Sequence, residues 1–406
     1  MQDKPRKLHG IDAIRVVAEY LVVRFHVLPE DKREGFHGPI GVDIMSFFFV
    51  LSGFVMMYTF ERADFSTWQA VRQFWWDRLR RVYPVFLINW LCWIPYLVKV
   101  WDPDTKEGQC WLRKLCPLLQ LVMLDGWAGC GVAFTANGVS WYLSCLMWLW
   151  LVFPLIKDAL VDRFSRAGSV WAKMAWINLA WICIVCLFWP FDLYTISGLP
   201  FLRIGEFLIG CGVASALRLE APGWLANGRH WIPFAGVVLF YCFQRVDHGL
   251  WFLCLHENAQ HDGCSIWNAG QAWVENKPPC ITVFEKIPNK YALVWAVLIH
   301  GVARAEIAGV KGGFLQAEVF KLLSSFSLAL YLGHVNMYMA VVGIGRVLGW
   351  DKDDWRDDTV LILVYLLCYG MHSLMVAAYT RLQAGARQPL AGEEDIELLD
   401  LQAAKT

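Results

Sequence analysis

Apolar residues recur in runs of about twenty, the length an α-helix needs to cross the hydrocarbon core of a bilayer. The runs fall at roughly 11–28, 40–60, 84–101, 141–160, 171–189, 199–217, 231–247, 289–308, 323–346 and 359–382, which predicts about ten spans. A further apolar stretch, 115–125, is too short to cross and is expected to be re-entrant or interfacial. Polar residues gather in residues 1–10, in two long loops at about 102–139 and 248–288, and in an acidic tail, 383–406. The pattern predicts an all-α fold: a polytopic transmembrane helical bundle forming one domain over 11–382.

The first run is interrupted in a regular way, by Arg15 and His26, eleven residues apart. At about 100° per residue, eleven steps make about three turns plus 20°, so both side chains share one helix face, roughly 16 Å apart along the axis. Glu19 and Val22 continue that face. A charged group in a membrane segment costs about 2.5–3.5 kcal/mol on insertion scales, so such a stripe lines an interior site by default. The alternative is a structural ion pair between Arg15 and Glu19, with His26 near the interface.

Apolar residues make up 57% of the chain and charged residues 18%, a balance that excludes an ordinary water-soluble globule and makes membrane lipid the first partner. No nucleic-acid partner is expected. The basic residues Lys4, Arg6, Lys7, Arg62, Arg72, Arg78, Arg80, Arg81, Lys157, Arg163, Arg166, Arg304, Lys311 and Lys321 fall on one side if the spans alternate. An integral, multi-pass protein of the plasma membrane or an endomembrane, with both termini cytoplasmic, is expected. The opposite side carries the turn 191–200 and the acidic hairpin 351–358. The first apolar run is charged and lacks a small-residue cleavage site, so no cleavable signal peptide is expected. Cys110, Cys116, Cys130, Cys254, Cys264 and Cys280 lie in the two long outer loops and every other cysteine lies in a span, which points to disulfides pinning those loops. Their spacing matches no standard zinc frame, so no metal is expected.

Five more runs carry polar groups that could do chemistry. Asp43 and Ser52 stand in the stretch 41–54, with Asp43 at a depth similar to that of His26. A carboxylate on one imidazole nitrogen fixes the tautomer and raises the basicity of the other, as a general base requires. Arg78 and Arg81 sit at the cytoplasmic mouth of the third span, where guanidinium groups can take phosphates or simply anchor the topology. Arg203 and Glu206 are three apart and can pair on one face. Trp141 and Ser144 open the fourth span, and Ser327, Tyr331 and His334 share a stripe of the ninth.

In this order, the runs resemble the acyltransferase family 3 of integral membrane O-acyltransferases, from about residue 10 to about 345. Ile11 to Arg15 with His26 is similar to the family's L-D-G-L-R-G-L-A opening and R-x₁₀-H signature, and Phe47 to Phe54 to its F-F-V-L-S-G-F. Arg78 to Arg81 with Pro84 resembles its R-x-x-R, and Ser140 to Pro154 its W-x-L-S…F-P segment. Arg203 to Gly210 resembles R-x-P-E-F-x-x-G, and Ser327 to His334 resembles S-Y-S-L-Y-L-x-H. The chain departs from the family at four points. Ser46 holds the usual aspartate position with Asp43 one turn earlier, Leu146 replaces a glutamate, Gly205 replaces a proline, and the E-x-P after the last span is missing.

The resemblance implies an enzyme that transfers an acyl group, other than amino-acyl, from cytosolic acyl-CoA, in the first instance acetyl-CoA. The acceptor is a hydroxyl of a carbohydrate or lipid-like molecule. It implies His26 as general base with Asp43 as its orienting partner, and Arg78 and Arg81 as contacts for CoA phosphates. Arg15 steadies the thioester arm, and Ser52, Trp141, Ser144, Arg203, Glu206, Tyr331 and His334 are further substrate or acyl-CoA contacts. The alternative is a proton-coupled small-molecule transporter, since buried Arg, Glu and His also build relays. No inverted repeat favours it. The tail carries Glu394, Leu398 and Leu399 in the spacing of a dileucine sorting signal, or is merely a solvated end.

Overall fold

A computed structural model describes residues 6–27, 40–101, 111–128, 137–187, 198–219, 236, 254–256, 280–282, 287, 289–309, 317–349 and 357–386. The expected seventh span at 231–247, the turn 191–200, the hairpin 351–358 and the tail lie wholly or mostly outside the described residues. So do Cys110, Cys130 and Cys264.

The described chain is helical, with one short antiparallel ladder. In order come α1 (His9–Val27), α2 (Ile40–Phe60), α3 (Trp68–Leu91), α4 (Ile94–Trp101), α5 (Trp111–Leu121), α6 (Trp141–Ser165) and α7 (Val170–Leu187). A 3₁₀ turn, Pro200–Arg203, leads into α8 (Ile204–Leu219). Strands β1 (Cys254–His256) and β2 (Cys280–Thr282) pair with Leu255 opposite Ile281. The chain ends with α9 (Ala292–Ile307), α10 (Glu318–Ser325), α11 (Ser327–Val347) and α12 (Asp357–Ala386).

Six described segments are long and apolar enough to cross a bilayer: Asp43–Phe60, Trp141–Ser165, Val170–Leu187, Pro200–Leu219, Ser327–Val347 and Thr359–Arg381. The expected span 84–101 is not one helix. It divides at Cys92 and Trp93, whose N–H groups turn back to the Ile88 and Trp90 carbonyls. Its first half continues α3, which starts sixteen residues before the apolar run, at Trp68, where the Thr67 hydroxyl caps the Ala70 N–H at 3.3 Å. Apolar content marked the run's outer part, whereas the polar, amphipathic first half of α3 is set by a cap. The short stretch near 115–125 folds as α5, eleven residues long, about 16 Å and too short to cross.

The chain divides into two compact units: residues 1–11 with 39–310, and residues 12–38 with 311–406. In the first, α2 and α8 are in backbone contact. A Cβ on Gly53 would overlap the Phe207 carbonyl, and one on Gly210 the Val50 carbonyl. Two glycines facing in this way bring the helix axes close, which is how helices pack tightly where lipid offers no hydrophobic drive between them. Gly205, the family's proline position, lies directly under the Trp181 ring, which fills the place a Cβ would take. In the second unit, Val23 and Val27 of α1, Phe326, Leu330 and Val341, and Val360, Val364 and Cys368 of α12 form one buried cluster.

Candidate functional site

In the second unit the α1 stripe meets one partner surface rung by rung. Arg15 ion-pairs with Asp12 at 3.1 Å. It also donates to the Ser324 hydroxyl and carbonyl, and that hydroxyl donates onward to Asp12 at 3.0 Å. Four residues on, Glu19 is buried and accepts from the Ser327 hydroxyl. At the far end, Nδ1 of His26 lies 3.2 Å from Nε2 of His334. Partner numbers rise along both elements, so α1 and the α10–α11 segment run in the same direction. The alternative Arg15–Glu19 ion pair is replaced by Arg15–Asp12, because the shorter aspartate one turn back leaves Glu19 to the serine.

The two imidazoles are tightly framed. Nδ1 of His334 lies 2.8 Å from the Tyr331 carbonyl and 3.2 Å from that of Leu330. Nδ1 of His26 also lies 2.9 Å from the Val22 carbonyl. The two imidazole rings are tilted with centroids 5.0 Å apart, and the Tyr331 ring stands 6.2 Å from that of His334. His334 is fully buried, whereas His26 keeps part of its surface exposed.

The first unit holds the remaining expected residues. Asp43 is ion-paired with Lys290 at 3.3 Å, both nearly enclosed, at 4% and 2% exposure. Lys290 carried no signal in the sequence beyond being a cation at the start of an apolar run. Arg203 and Glu206 form a fully buried pair, 3.0 and 3.1 Å to the two carboxylate oxygens. The guanidinium lies over the Phe49 ring at 4.8 Å and the Trp141 ring at 5.4 Å. The motifs 47–54, 141–144 and 203–210 therefore converge on one charge. Ser46 is buried within reach of Glu206.

Ser144 faces elsewhere. Its hydroxyl donates to the Met123 carbonyl at 2.8 Å and accepts the Gly126 N–H at 3.3 Å. Met123 has a left-handed backbone, φ 56°, and Ser144 holds the turn that this creates. In that turn Asp125 is buried, and desolvation raises its pKa to about 6. No sequence signal marks it, because a single aspartate in a loop normally lies in water. Ser52 is half-buried on α2 beside Gly53.

Among the arginines of α3, Arg80 is spent on Asp77 at 2.8 Å. Arg78 lies over Phe60 and Phe74, 4.7 and 5.5 Å from the centroids. Burial, then the neighbouring Arg81, draws the Arg78 pKa down to about 10, which leaves it cationic at neutral pH. Arg81 is exposed. Arg78 is thus packed against two rings while Arg81 faces outward, and a guanidinium in either setting can take an anion.

Cys116 is disulfide-bonded. Among the described residues Cys92, Cys145, Cys183, Cys186, Cys211 and Cys368 are free, all of them in helices or, for Cys92, at a helix end.

A polytopic helical protein with intramembrane Arg, Glu and His in family order defines a class, and comparison with known proteins agrees. The sequence matches the acyltransferase 3 family, described as an acyltransferase domain, over residues 8–380, and the chain belongs to that family. It is 25% identical over 300 residues to Acyltransferase MdmB of Streptomyces mycarofaciens, a match covering 73% of this chain and 67% of that protein. No solved structure matches the chain. The protein is thus a membrane acyltransferase acting on groups other than amino-acyl groups.

Proposed function

We propose that this enzyme moves an acyl group, in the first instance acetyl, from cytosolic acyl-CoA to a hydroxyl of a carbohydrate or lipid-like acceptor. The carrying observation is that the Arg15, Glu19 and His26 stripe is engaged along its whole length by Ser324, Ser327 and His334, so the ring of His26 is aimed by its surroundings. His26 acts as general base. It takes the proton of the acceptor hydroxyl as that oxygen bonds to the thioester carbonyl carbon and the C–S bond breaks, and it then returns the proton to the departing sulfur. Arg15, fixed by Asp12 and Ser324, steadies the thioester arm. Arg78 and Arg81 take CoA phosphates from the cytosolic side, where both termini lie. In the first unit, Asp43, balanced by Lys290, and Trp141, Arg203 and Glu206 are assigned to the handling of substrate.

The test is incubation of the purified protein with labelled acetyl-CoA, with and without hydroxyl acceptors. Transfer or slow hydrolysis by the wild type and neither by His26→Ala is expected. Equal turnover by the two proteins would overturn the assignment.

A further inference from the structure

We infer that His334 is the positioning residue for His26: it holds the imidazole by Nδ1 and thereby makes Nε2 the nitrogen that takes the acceptor's proton. This rests on the acyltransferase reading for the chemistry and on the geometry alone for the tautomer.

The tautomer follows from which atoms can donate. Carbonyl oxygens only accept hydrogen bonds, so Nδ1 of His334, facing the carbonyls of Tyr331 and Leu330 at 2.8 and 3.2 Å, carries a hydrogen. In the neutral ring Nε2 then bears the lone pair, and it is this atom that lies 3.2 Å from Nδ1 of His26. Nδ1 of His26 thus faces two acceptors, that lone pair and the Val22 carbonyl at 2.9 Å. A hydrogen on Nδ1 satisfies both. A lone pair there would oppose two others. The neutral His26 ring is accordingly Nδ1–H, with its basic electrons on Nε2, the arrangement a general base requires.

Burial gives the two rings different duties. His334 is fully enclosed and held at Nδ1 by two carbonyls, so it cannot swing toward a substrate; His26 is only half-buried. The seven-residue step from Ser327 to His334 equals that from Glu19 to His26, so the serine–glutamate rung sets the register that brings the imidazoles together.

The experiment uses the full chain in lipid nanodiscs, labelled with ¹⁵N-histidine, and subtracts the His26→Gln spectrum to isolate one ring among ten histidines. Wild type should show a protonated Nδ1 and an unprotonated Nε2 on His26. His334→Ala should shift population to the Nε2–H tautomer. A wild-type ring already in the Nε2–H form, or a spectrum unmoved by His334→Ala, would overturn the inference whatever the activity.

With labelled acetyl-CoA, His334→Ala and His334→Asn should lose at least about tenfold in kcat with the donor KM within about twofold, less than the roughly 10²- to 10⁴-fold of a lost general base. His334→Gln, whose Oε1 can accept where Nε2 did, should recover most of the rate. Wild-type kcat in His334→Ala, or a glutamine variant as slow as alanine, would also sink it. If the wild type transfers no acyl group to any acceptor, the functional reading fails, and the tautomer spectra still decide the positioning.

Discussion

Ser327 donates its hydroxyl hydrogen to Oε1 of Glu19 across 308 positions of sequence, in the interior of the second unit. The bond gives a buried carboxylate a partner that no neighbour on its own helix supplies. Ser327→Ala leaves that oxygen without a donor, and a loss of about 1–3 kcal/mol is expected. Thermal unfolding in detergent checks it. Because the two groups share one interaction, Glu19→Ala combined with Ser327→Ala should cost clearly less than the two single changes added; strict additivity would show that the bond contributes nothing.

Gly53 and Gly210 set the distance between α2 and α8. A methyl group at either would overlap backbone rather than a movable side chain. Gly53→Ala and Gly210→Ala should each abolish well-folded protein, read as loss of the monodisperse peak after solubilisation. Gly343 is the control. It lies in α11 with nothing within 4 Å of the place a methyl group would take, so Gly343→Ala should be neutral or stabilise by up to about 1 kcal/mol.

Asp125 ties stability to pH. Burial raises its pKa from 3.8 to about 6 in the folded protein. Here the folded state holds the proton more tightly than the unfolded one, so this group's contribution is full below the unfolded value and disappears as pH rises through about 6. Above that it has cost about 2–3 kcal/mol. Asp125→Asn should therefore flatten the melting temperature between pH 4 and 7 and raise it at pH 7. An unchanged slope would mean that the carboxylate is solvated.

Arg78 and Arg81 should separate on substitution. Arg78→Lys keeps the charge but loses the guanidinium's contact with the Phe60 and Phe74 rings. It should raise the KM for acyl-CoA by about tenfold, equivalent to about 1.4 kcal/mol. Arg81→Lys, at an exposed site, should change it far less, while Arg81→Ala should weaken binding more at low salt than at high salt. A donor titration at two ionic strengths distinguishes these outcomes.

Cys116 is bonded and buried, so reducing agent should lower the melting temperature by an amount equivalent to about 2–5 kcal/mol. Cys116→Ser should match the reduced wild type. The free cysteines of the described helices give the contrast, since replacing Cys368 by alanine should leave the response to reductant intact.

Much of this site could be read along the chain. The eleven-residue step from Arg15 to His26 fixed a common face, and the three-residue step from Arg203 to Glu206 sufficed to form their pair, because both depend only on helical pitch. Elements were less legible where length and polarity disagree. The apolar run 84–101 breaks at Cys92 and Trp93, and hydropathy is blind to a two-residue turn whose side chains stay apolar.

The sequence by itself determined the helical class of fold, six of its long apolar helices, the family, and which helix faces carry polar groups, since each follows from composition and a fixed rise and rotation per residue. Only the tertiary structure decided who faces whom: Lys290 for Asp43, Ser327 for Glu19, His334 for His26, and the Met123 turn for Ser144. Those partners lie from 21 to 308 residues apart. Helical periodicity carries no information over such separations, and the pairing is set by which buried polar groups the packing of other helices leaves to satisfy one another.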